Sequence, residues 1–178
     1  MNTPTETPFV LDAACGSRMF WFDRNDPRAI FADNRIESHI LKDRTVPSGL
    51  RSLEIKPAVM ADFTAMPYPN NTFSLVVFDP PHLVVFDPPH LTVAEPNGWQ
   101  AKKYGRLEGN WREMLRQGFA ECFRVLRPAG TLIFKWNEHN VPVVQILALT
   151  PNTPLFGQRY GKTAKTHWLV FMKTEVTQ

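Results

Sequence analysis

The sequence predicts an α/β fold with a doubly wound, mostly parallel sheet that ends in an antiparallel hairpin. Short runs of apolar, β-branched and aromatic residues alternate with polar or helical stretches, which is the pattern of strands joined by crossover connections. Of the 178 residues, 43% are hydrophobic and 21% charged, as is usual for a soluble globular protein. We therefore expect residues 1–178 to form a single domain.

Six apolar runs are expected to be strands of this sheet: Phe9–Ala13, Ala29–Ala32, Ala58–Ala61, Leu75–Phe78, Thr131–Trp136 and His167–Met172. The first should lead through a small-residue turn into a short helical segment. In the weakly patterned stretch 34–57, we predict a short helix near Ile36–Lys42 and a loop at Pro47–Gly49.

The second half of the chain carries the clearest helical pattern. From Asn110 to Leu126, apolar residues recur every three or four positions, which predicts an amphipathic helix that ends before Pro128 and Gly130. A second helix is expected over Val141–Leu149. Leu155–Tyr160 should pair with the last strand around the turn at Gly161–Lys165.

Composition excludes some classes of protein. The chain has no apolar run of the ~20 residues that a membrane helix needs, and its first residues do not resemble a signal peptide, so we expect a cytoplasmic protein with no membrane contact. Cys15 and Cys122 lack metal-ligand spacing, and we expect reduced thiols and no bound metal. The net charge of +3 is compatible with phosphate contacts without requiring them.

Candidate ligand-binding residues follow the ends of the first three predicted strands. Ligands of open parallel sheets bind at the carboxyl ends of the strands, near the point where strand order reverses. The turn after the first strand is rich in small residues, which let a ligand approach the backbone, although a tight strand-to-helix turn explains it equally well. An acid after the second strand is suited to ribose hydroxyls. The predicted cofactor-binding residues are Asp12, Ala13, Ala14, Cys15, Gly16, Asp33, Asp62, Phe63 and Asp79.

The most specific motif is Asp79-Pro80-Pro81-His82, which directly follows the fourth strand. An exocyclic aromatic amine is a poor nucleophile, and acceptors for its amino protons stabilise the positive charge that develops during attack. An aspartate and a proline carbonyl supply two acceptors, consecutive prolines stiffen the loop, and the histidine can stack on a base. A rigid strand-ending turn is the structural alternative.

Together these segments resemble the class I S-adenosylmethionine-dependent amino-methyltransferases, over roughly residues 8–173. Val10–Ser17 matches the cofactor loop, Asp33 the ribose acid, Asp62 the adenine-facing acid, and Asp79–His82 the (Asp/Asn/Ser)-Pro-Pro-aromatic motif. The resemblance implies a Rossmann-like class I fold, S-adenosyl-L-methionine as cofactor, and a catalytic role for the motif.

In the same family, aspartate before the proline pair mostly accompanies adenine N6 methylation of DNA or RNA, serine is commoner in cytosine N4 enzymes, and asparagine in RNA or protein-glutamine enzymes. The chain also looks like small methyltransferase-like proteins of phages and prophages. It departs from the family in having Ala14 and Ser17-Arg18 where many relatives carry glycines, and histidine at the aromatic position. We expect no separate target-recognition domain.

A tandem duplication spans residues 75–90, where Leu75–His82 is repeated as Leu83–His90. Asp87, Pro88, Pro89 and His90 are therefore an alternative catalytic set. We favour the first copy in the sheet, because loops after strands tolerate insertions, but an even shift of eight residues leaves both registers open. The extra apolar copy could support a homodimer or obstruct the pocket, so we expect reduced activity relative to a single-copy chain.

The substrate side is expected to lie in the loop after the motif. Its aromatic and basic residues are suited to stacking bases and contacting phosphates, as a solvated loop would also be. The predicted substrate-binding residues are His82, Trp99, Lys102, Lys103 and Tyr104. The favoured function is methylation of adenine N6 in nucleic acid. Methylation of a protein glutamine or another amine and a catalytically impaired binding relative are the alternatives, while a nicotinamide dehydrogenase is disfavoured because the chain lacks a Gly-x-Gly-x-x-Gly turn.

Overall fold

The structure, a computed structural model, describes residues 9–81, 102, 106–159 and 165–174, and its centre is a mixed sheet of seven strands. In chain order the described strands are β1 (Val10–Asp12), β2 (Ala29–Asp33), β3 (Glu37–Lys42), β4 (Leu50–Ile55), β5 (Val59–Met60), β6 (Phe73–Phe78), β7 (Leu126–Asn137), β8 (Phe156–Arg159) and β9 (Thr166–Met172). The two longest described helices are α1 (Trp111–Val125) and α2 (Val143–Leu147).

The strand order in the central sheet is β5-β2-β1-β6-β7-β9-β8. The first five of these pair in parallel, whereas β9 runs antiparallel to both β7 and β8. This confirms the predicted Rossmann-like α/β fold with a mostly parallel sheet and a C-terminal antiparallel hairpin. Because the chain builds outward from β1 on one side and returns to β6 on the other, the strand order reverses between β1 and β6.

Helix α1 packs its apolar face on the middle of the sheet, as its periodicity predicts. The Asn110 side chain caps it by accepting a hydrogen bond from the Glu113 amide at 3.4 Å. On the buried face, the ring of Phe119 lies 4.8 Å from that of Phe134 and 5.7 Å from that of Phe78. Gly118 allows the close approach, since a Cβ there would lie 2.8 Å from the Phe63 ring.

The last turn of α1 is tied to the loop before β6 by a charged network. Arg124 forms an ion pair with Glu121 at 2.6 Å and donates to the carbonyls of Tyr68 at 2.7 Å and Met66 at 3.0 Å. Glu121 in turn accepts the amide of Met66 at 2.8 Å. These contacts hold the segment between Phe63 and β6 against the helix.

The predicted helix near Ile36–Lys42 is wrong, because this segment is strand β3, paired antiparallel with β4. The two strands form a separate two-stranded sheet that joins β2 to β5. One face of the hairpin is buried at Leu41, Leu53 and Ile55, while Ile40 is 75% exposed. Burial along the hairpin alternates with a period of two residues, as in a strand with one buried face. The predicted loop at Pro47–Gly49 lies in the turn that joins the two strands.

The helical segment predicted after the first strand is also wrong, because residues 13–28 form successive turns. Short polar side chains hold these turns: Asp23 accepts the Asn25 amide at 2.8 Å, and Asp26 accepts the Arg28 amide at 3.0 Å. Such bonds compete with helical hydrogen bonding. Across the described segments, the helices are too short or too polar to span a bilayer.

Candidate active site

A pocket of about 370 Å³ opens at the carboxyl ends of β1, β2, β5 and β6. It therefore lies at the reversal of strand order, where ligands of open α/β sheets bind. Nine of its lining residues belong to the set predicted from the sequence: Ala13, Ala14, Cys15, Gly16, Asp33, Phe63, Asp79, Pro80 and Pro81.

The loop after β1 is fixed by main-chain hydrogen bonds to both neighbouring strands. The Ala13 amide donates to the carbonyl of Val77 at 3.0 Å, and the Cys15 amide donates to that of Ala32 at 2.9 Å. Gly16 has a φ of +49°, which favours glycine. Burial raises the pKa of the Cys15 thiol to about 12, so this thiol stays protonated and is not a nucleophile at neutral pH.

Asp33, at the end of β2, links the loop after β1 to Arg35. Its Oδ2 accepts the Gly16 amide at 2.8 Å, and its Oδ1 accepts the Arg35 amide at 3.0 Å and Nε at 3.1 Å. Arg35 Nη2 lies 3.4 Å from Oδ2. Both carboxylate oxygens thus already have donors in this conformation.

Asp12, at the end of β1, lies beneath the pocket instead of lining it. Its side chain is fully buried, Oδ2 accepts the indole N–H of Trp21 at 2.7 Å, and Oδ1 has no hydrogen-bond partner among the residues that the structure describes. Burial raises the pKa of Asp12 to about 7, and the carboxylates of Asp79 and Asp33 act in the same direction against the Trp21 hydrogen bond. This carboxyl therefore titrates near neutral pH.

Asp79 lines the pocket directly after β6 and forms an ion pair with Lys135 of β7. Lys135 Nζ lies 2.5 Å from Asp79 Oδ2, and the side chains of Lys135 and Asp79 are only 18% and 15% exposed. Burial raises the pKa of Asp79, while the positive charge of Lys135 and its hydrogen bond act in the opposite direction. Lys135 Nζ also lies 5.5 Å from the centre of the Phe20 ring and 5.6 Å from that of Trp168, a cation–π arrangement.

Some predicted residues are not brought into the pocket. Asp62 is exposed, and its Oδ1 accepts the Thr64 amide at 2.8 Å and hydroxyl at 2.7 Å, while Ala61 and Phe63 beside it line the wall. Lys102 is half-buried and is not among the lining residues. The other predictions lie outside the described residues: His82, the copy Asp87, Pro88, Pro89 and His90, and Trp99, Lys103 and Tyr104.

Sequence reasoning missed several residues of the pocket, of which Lys135 is the most informative. Strand β7 alternates buried Leu132, Phe134 and Trp136 with half-buried positions, and Lys135 is the one charged residue on that second face of its apolar run 131–136. Since Phe78 pairs with Phe134 in register, the next residues of the two strands, Asp79 and Lys135, become neighbours. Aligning the two apolar runs would have revealed this pair.

Arg35, Arg106, Phe20 and Met114 also line the pocket without having been predicted. Arg35 and Arg106 supply positive charge beside the acids, and Arg106 pairs with exposed Glu108 at 2.8 Å. Phe20, Arg35 and Arg106 lie in loops, where no periodicity marks them, whereas Met114 lies on the predicted helix α1. The described residues contain no group of three or more histidine, cysteine or acidic side chains placed to bind a metal ion.

Comparison with known proteins supports the fold. No protein-family model matches the sequence, and no curated protein matches it. Among solved structures, the PH0226 protein from Pyrococcus horikoshii is 16% identical, with a TM-score of 0.54 over 93% of this chain and 81% of its own. This likeness supports the Rossmann-like α/β architecture that the strand order displays.

Two further structures align at lower scores. A TehB-like SAM-dependent methyltransferase from Corynebacterium glutamicum is 13% identical over 93% of this chain and 79% of its own, with a TM-score of 0.48. The N-methyltransferase NodS from Bradyrhizobium japonicum is 12% identical over 93% of this chain and 85% of its own, also with a TM-score of 0.48.

Proposed function

We propose that this chain is an S-adenosylmethionine-dependent methyltransferase that modifies an exocyclic aromatic amine, with adenine N6 of DNA or RNA as the acceptor. The observation that carries the proposal is the meeting of two motifs in one pocket. Asp79, Pro80 and Pro81 line the same pocket as the small-residue loop 13–17 at the reversal of strand order. A loop for the cofactor and acceptors for an amine are thereby adjacent.

The residues present fit a nucleoside cofactor. A pocket of about 370 Å³ lies within the range of small-ligand sites, about 300–1,000 Å³. Phe63 offers an apolar wall for a purine, and the small side chains of the loop let a ligand approach closely. Asp33 is the acid for the ribose hydroxyls. Since its oxygens already accept from Gly16 and Arg35, a ribose hydroxyl would share Oδ2 or displace the longest of these contacts, the 3.4 Å contact with Arg35 Nη2.

The chemistry of the chain's own residues centres on Asp79. When bound, the cofactor supplies a methyl group on a positively charged sulfur. Asp79 Oδ2 is held by Lys135, which leaves Oδ1 without a hydrogen bond from the described residues and available to an amino proton. An ionised carboxylate in a partly dehydrated pocket stabilises positive charge on the attacking nitrogen. Lys135 keeps the carboxylate oriented and favours its ionised form.

The choice of adenine in nucleic acid rests on two features. The aspartate before the proline pair is the residue that the resembled family uses mostly for adenine N6. Arg35 and Arg106, although paired with Asp33 and Glu108, present guanidinium groups at the pocket that a phosphate could also contact. A base stacked in a duplex cannot reach a recessed methyl donor, so the acceptor base would be single-stranded or flipped out.

The test is transfer of a tritiated methyl group to plasmid DNA, total RNA and protein. We expect label in nucleic acid, and we expect Asp79→Ala to lower the rate by about 100-fold or more. Asp87→Ala is the matched control in the second motif copy and should retain activity. If only Asp87→Ala loses activity, the second copy serves catalysis.

A chain lacking Leu83–His90 tests the effect of the duplication. We expect faster transfer by this single-copy chain, and equal rates would contradict obstruction of the pocket. Label in protein instead of nucleic acid would favour a glutamine or other amine acceptor. Calorimetric binding of the cofactor without transfer by either chain would favour a catalytically impaired relative.

A further inference from the structure

A second depression, of about 870 Å³, lies beside the candidate pocket, between the turns after β1 and strand β4 of the hairpin. It shares Ser17 and Met19 with the pocket, so the two spaces adjoin. From there its lining continues to Asn25 and Pro57, which precede β2 and β5 in the chain. It thus leads from the mouth of the pocket along the hairpin side of the molecule.

Positive charge dominates this depression, which we call the cationic groove. Four of its lining residues are cations, Arg18, Arg24, Arg51 and Lys56, whereas Glu54 is the acid among the lining residues. An excess of positive charge along a groove attracts polyanions and raises their local concentration.

The four cations fall into two structural classes. Arg18 donates to the carbonyls of Arg24 and Lys56, both at 2.6 Å, and Arg51 forms an ion pair with Asp43 at 2.7 Å, so these two shape the groove. The side chains of Arg24 and Lys56 are exposed and make no ion pair or hydrogen bond with the described residues. They are therefore available to a ligand.

We propose that the cationic groove binds the phosphate backbone of a single-stranded nucleic acid whose target base enters the adjoining pocket. The inference rests on the proposed function. None of the described residues that line the groove is aromatic, so it lacks the stacking platforms that hold bases. Its contacts should therefore go to phosphates, and these position a strand without reading its sequence.

The test is the salt dependence of binding. A fluorescein-labelled, adenine-containing single-stranded oligonucleotide is titrated with the full chain by fluorescence anisotropy, from about 50 to about 200 mM potassium chloride. We expect Arg24→Gln and Lys56→Gln each to reduce the slope of log K against log salt by about 0.7, and to weaken binding about fivefold near 0.1 M salt. The double variant should lose about twice as much slope.

Arg127→Gln is the matched control. Arg127 is exposed near the start of β7, at the amino-terminal end of the parallel strands and therefore far from the pocket at their carboxyl ends. Its substitution should leave the slope unchanged. Thermal melting monitors folding of each variant. If the wild-type chain binds the oligonucleotide and labels nucleic acid but both groove variants keep its slope, the proposed phosphate binding by the cationic groove is refuted and the proposed function is not. A wild-type chain that binds no oligonucleotide and labels only protein would overturn the groove and the proposed acceptor together.

Discussion

The wild-type chain should lose stability as the pH rises toward neutrality, and replacing Asp12 with asparagine should abolish most of this loss. The carboxyl is fully buried and its pKa is raised from 3.8 to about 7. In the unfolded chain it ionises near its usual pKa, so between these values the folded state binds a proton that the unfolded state has lost. Stability must then fall as pH rises, from about pH 4 until the folded pKa near 7 is passed.

The magnitude follows from the two pKa values. At about 1.4 kcal/mol per pH unit, ionisation of Asp12 costs the folded state about 4 kcal/mol above pH 7. About 3 kcal/mol of this develops between pH 5 and pH 8. Asparagine retains an oxygen for the indole N–H of Trp21 and carries no charge to bury.

Urea denaturation at a series of pH values between about 5 and 8 measures the effect. The free energy of unfolding of Asp12→Asn relative to wild type should rise by about 3 kcal/mol across this range. Asp23→Asn is the control, because Asp23 is exposed and its contact with the Asn25 amide can be retained by an amide oxygen. Parallel pH profiles for wild type and Asp12→Asn would refute the reasoning.

Three further substitutions test the site and its support. Lys135→Met should move the acidic limb of the kcat/KM profile to higher pH. The rate is expected to fall as Asp79 becomes protonated, and loss of the lysine charge raises the pKa of Asp79 further. An equal drop in kcat/KM at every pH would contradict this. Gly118→Ala should destabilise the chain by about 1–3 kcal/mol in urea and weaken calorimetric cofactor binding, because the added methyl group would lie 2.8 Å from Phe63; unchanged denaturation would be inconsistent with the close packing. Arg124→Met should cost about 2 kcal/mol through loss of its charged hydrogen bonds, and a change below about 0.5 kcal/mol would show that the network contributes little.

The parts of the fold that the sequence predicted well have strong local signals. Helix α1 carries a long amphipathic repeat and a capping asparagine, and its bounds differ from the prediction by a residue at each end. Most of the central strands are short runs of apolar residues, which makes them recognisable in the sequence. Strand β7 begins at Leu126, earlier than expected, and its first residues are irregular: Ala129 has a φ of +59°, and the pairing with β6 shifts register between Phe73 and Leu75.

The hairpin β3–β4 was missed because its signal is weak and its stability is tertiary. Only one face is buried, and Ile40 and Leu50 on the other face are 75% and 52% exposed, which blurs the alternation. A two-stranded sheet of this kind is marginal by itself and depends on packing against the body of the protein. The consequence for function is large, because β4 forms one wall of the cationic groove.

Strand ends identified the pocket more reliably than they identified the role of each acid. The sequence placed Asp12, Asp33, Asp62 and Asp79 in equivalent positions, but the structure distinguishes them by their contacts. The Asp62 carboxylate accepts a hydrogen bond from Thr64, and the Asp33 carboxylate accepts hydrogen bonds from Gly16 and Arg35. These differences depend on side-chain directions and on partners distant in sequence, which no local pattern contains.

The contrast between Asp12 and Asp79 is the reason that we propose only Asp79 as a hydrogen-bond acceptor for an amino group. Both carboxyls are dehydrated and both have raised pKa values, but Asp79 is paired with Lys135, whereas no cation of the described residues pairs with Asp12. Environments that separate the protonation behaviour of neighbouring acids commonly assign them different roles. The free oxygen of Asp12 is sealed beneath the loop, and the charge of Asp79 itself disfavours ionisation of Asp12. Asp79 lines the pocket with its charge balanced by Lys135, and for this reason we propose Asp79 as the acceptor, whereas Asp12 contacts the segment above it through Trp21.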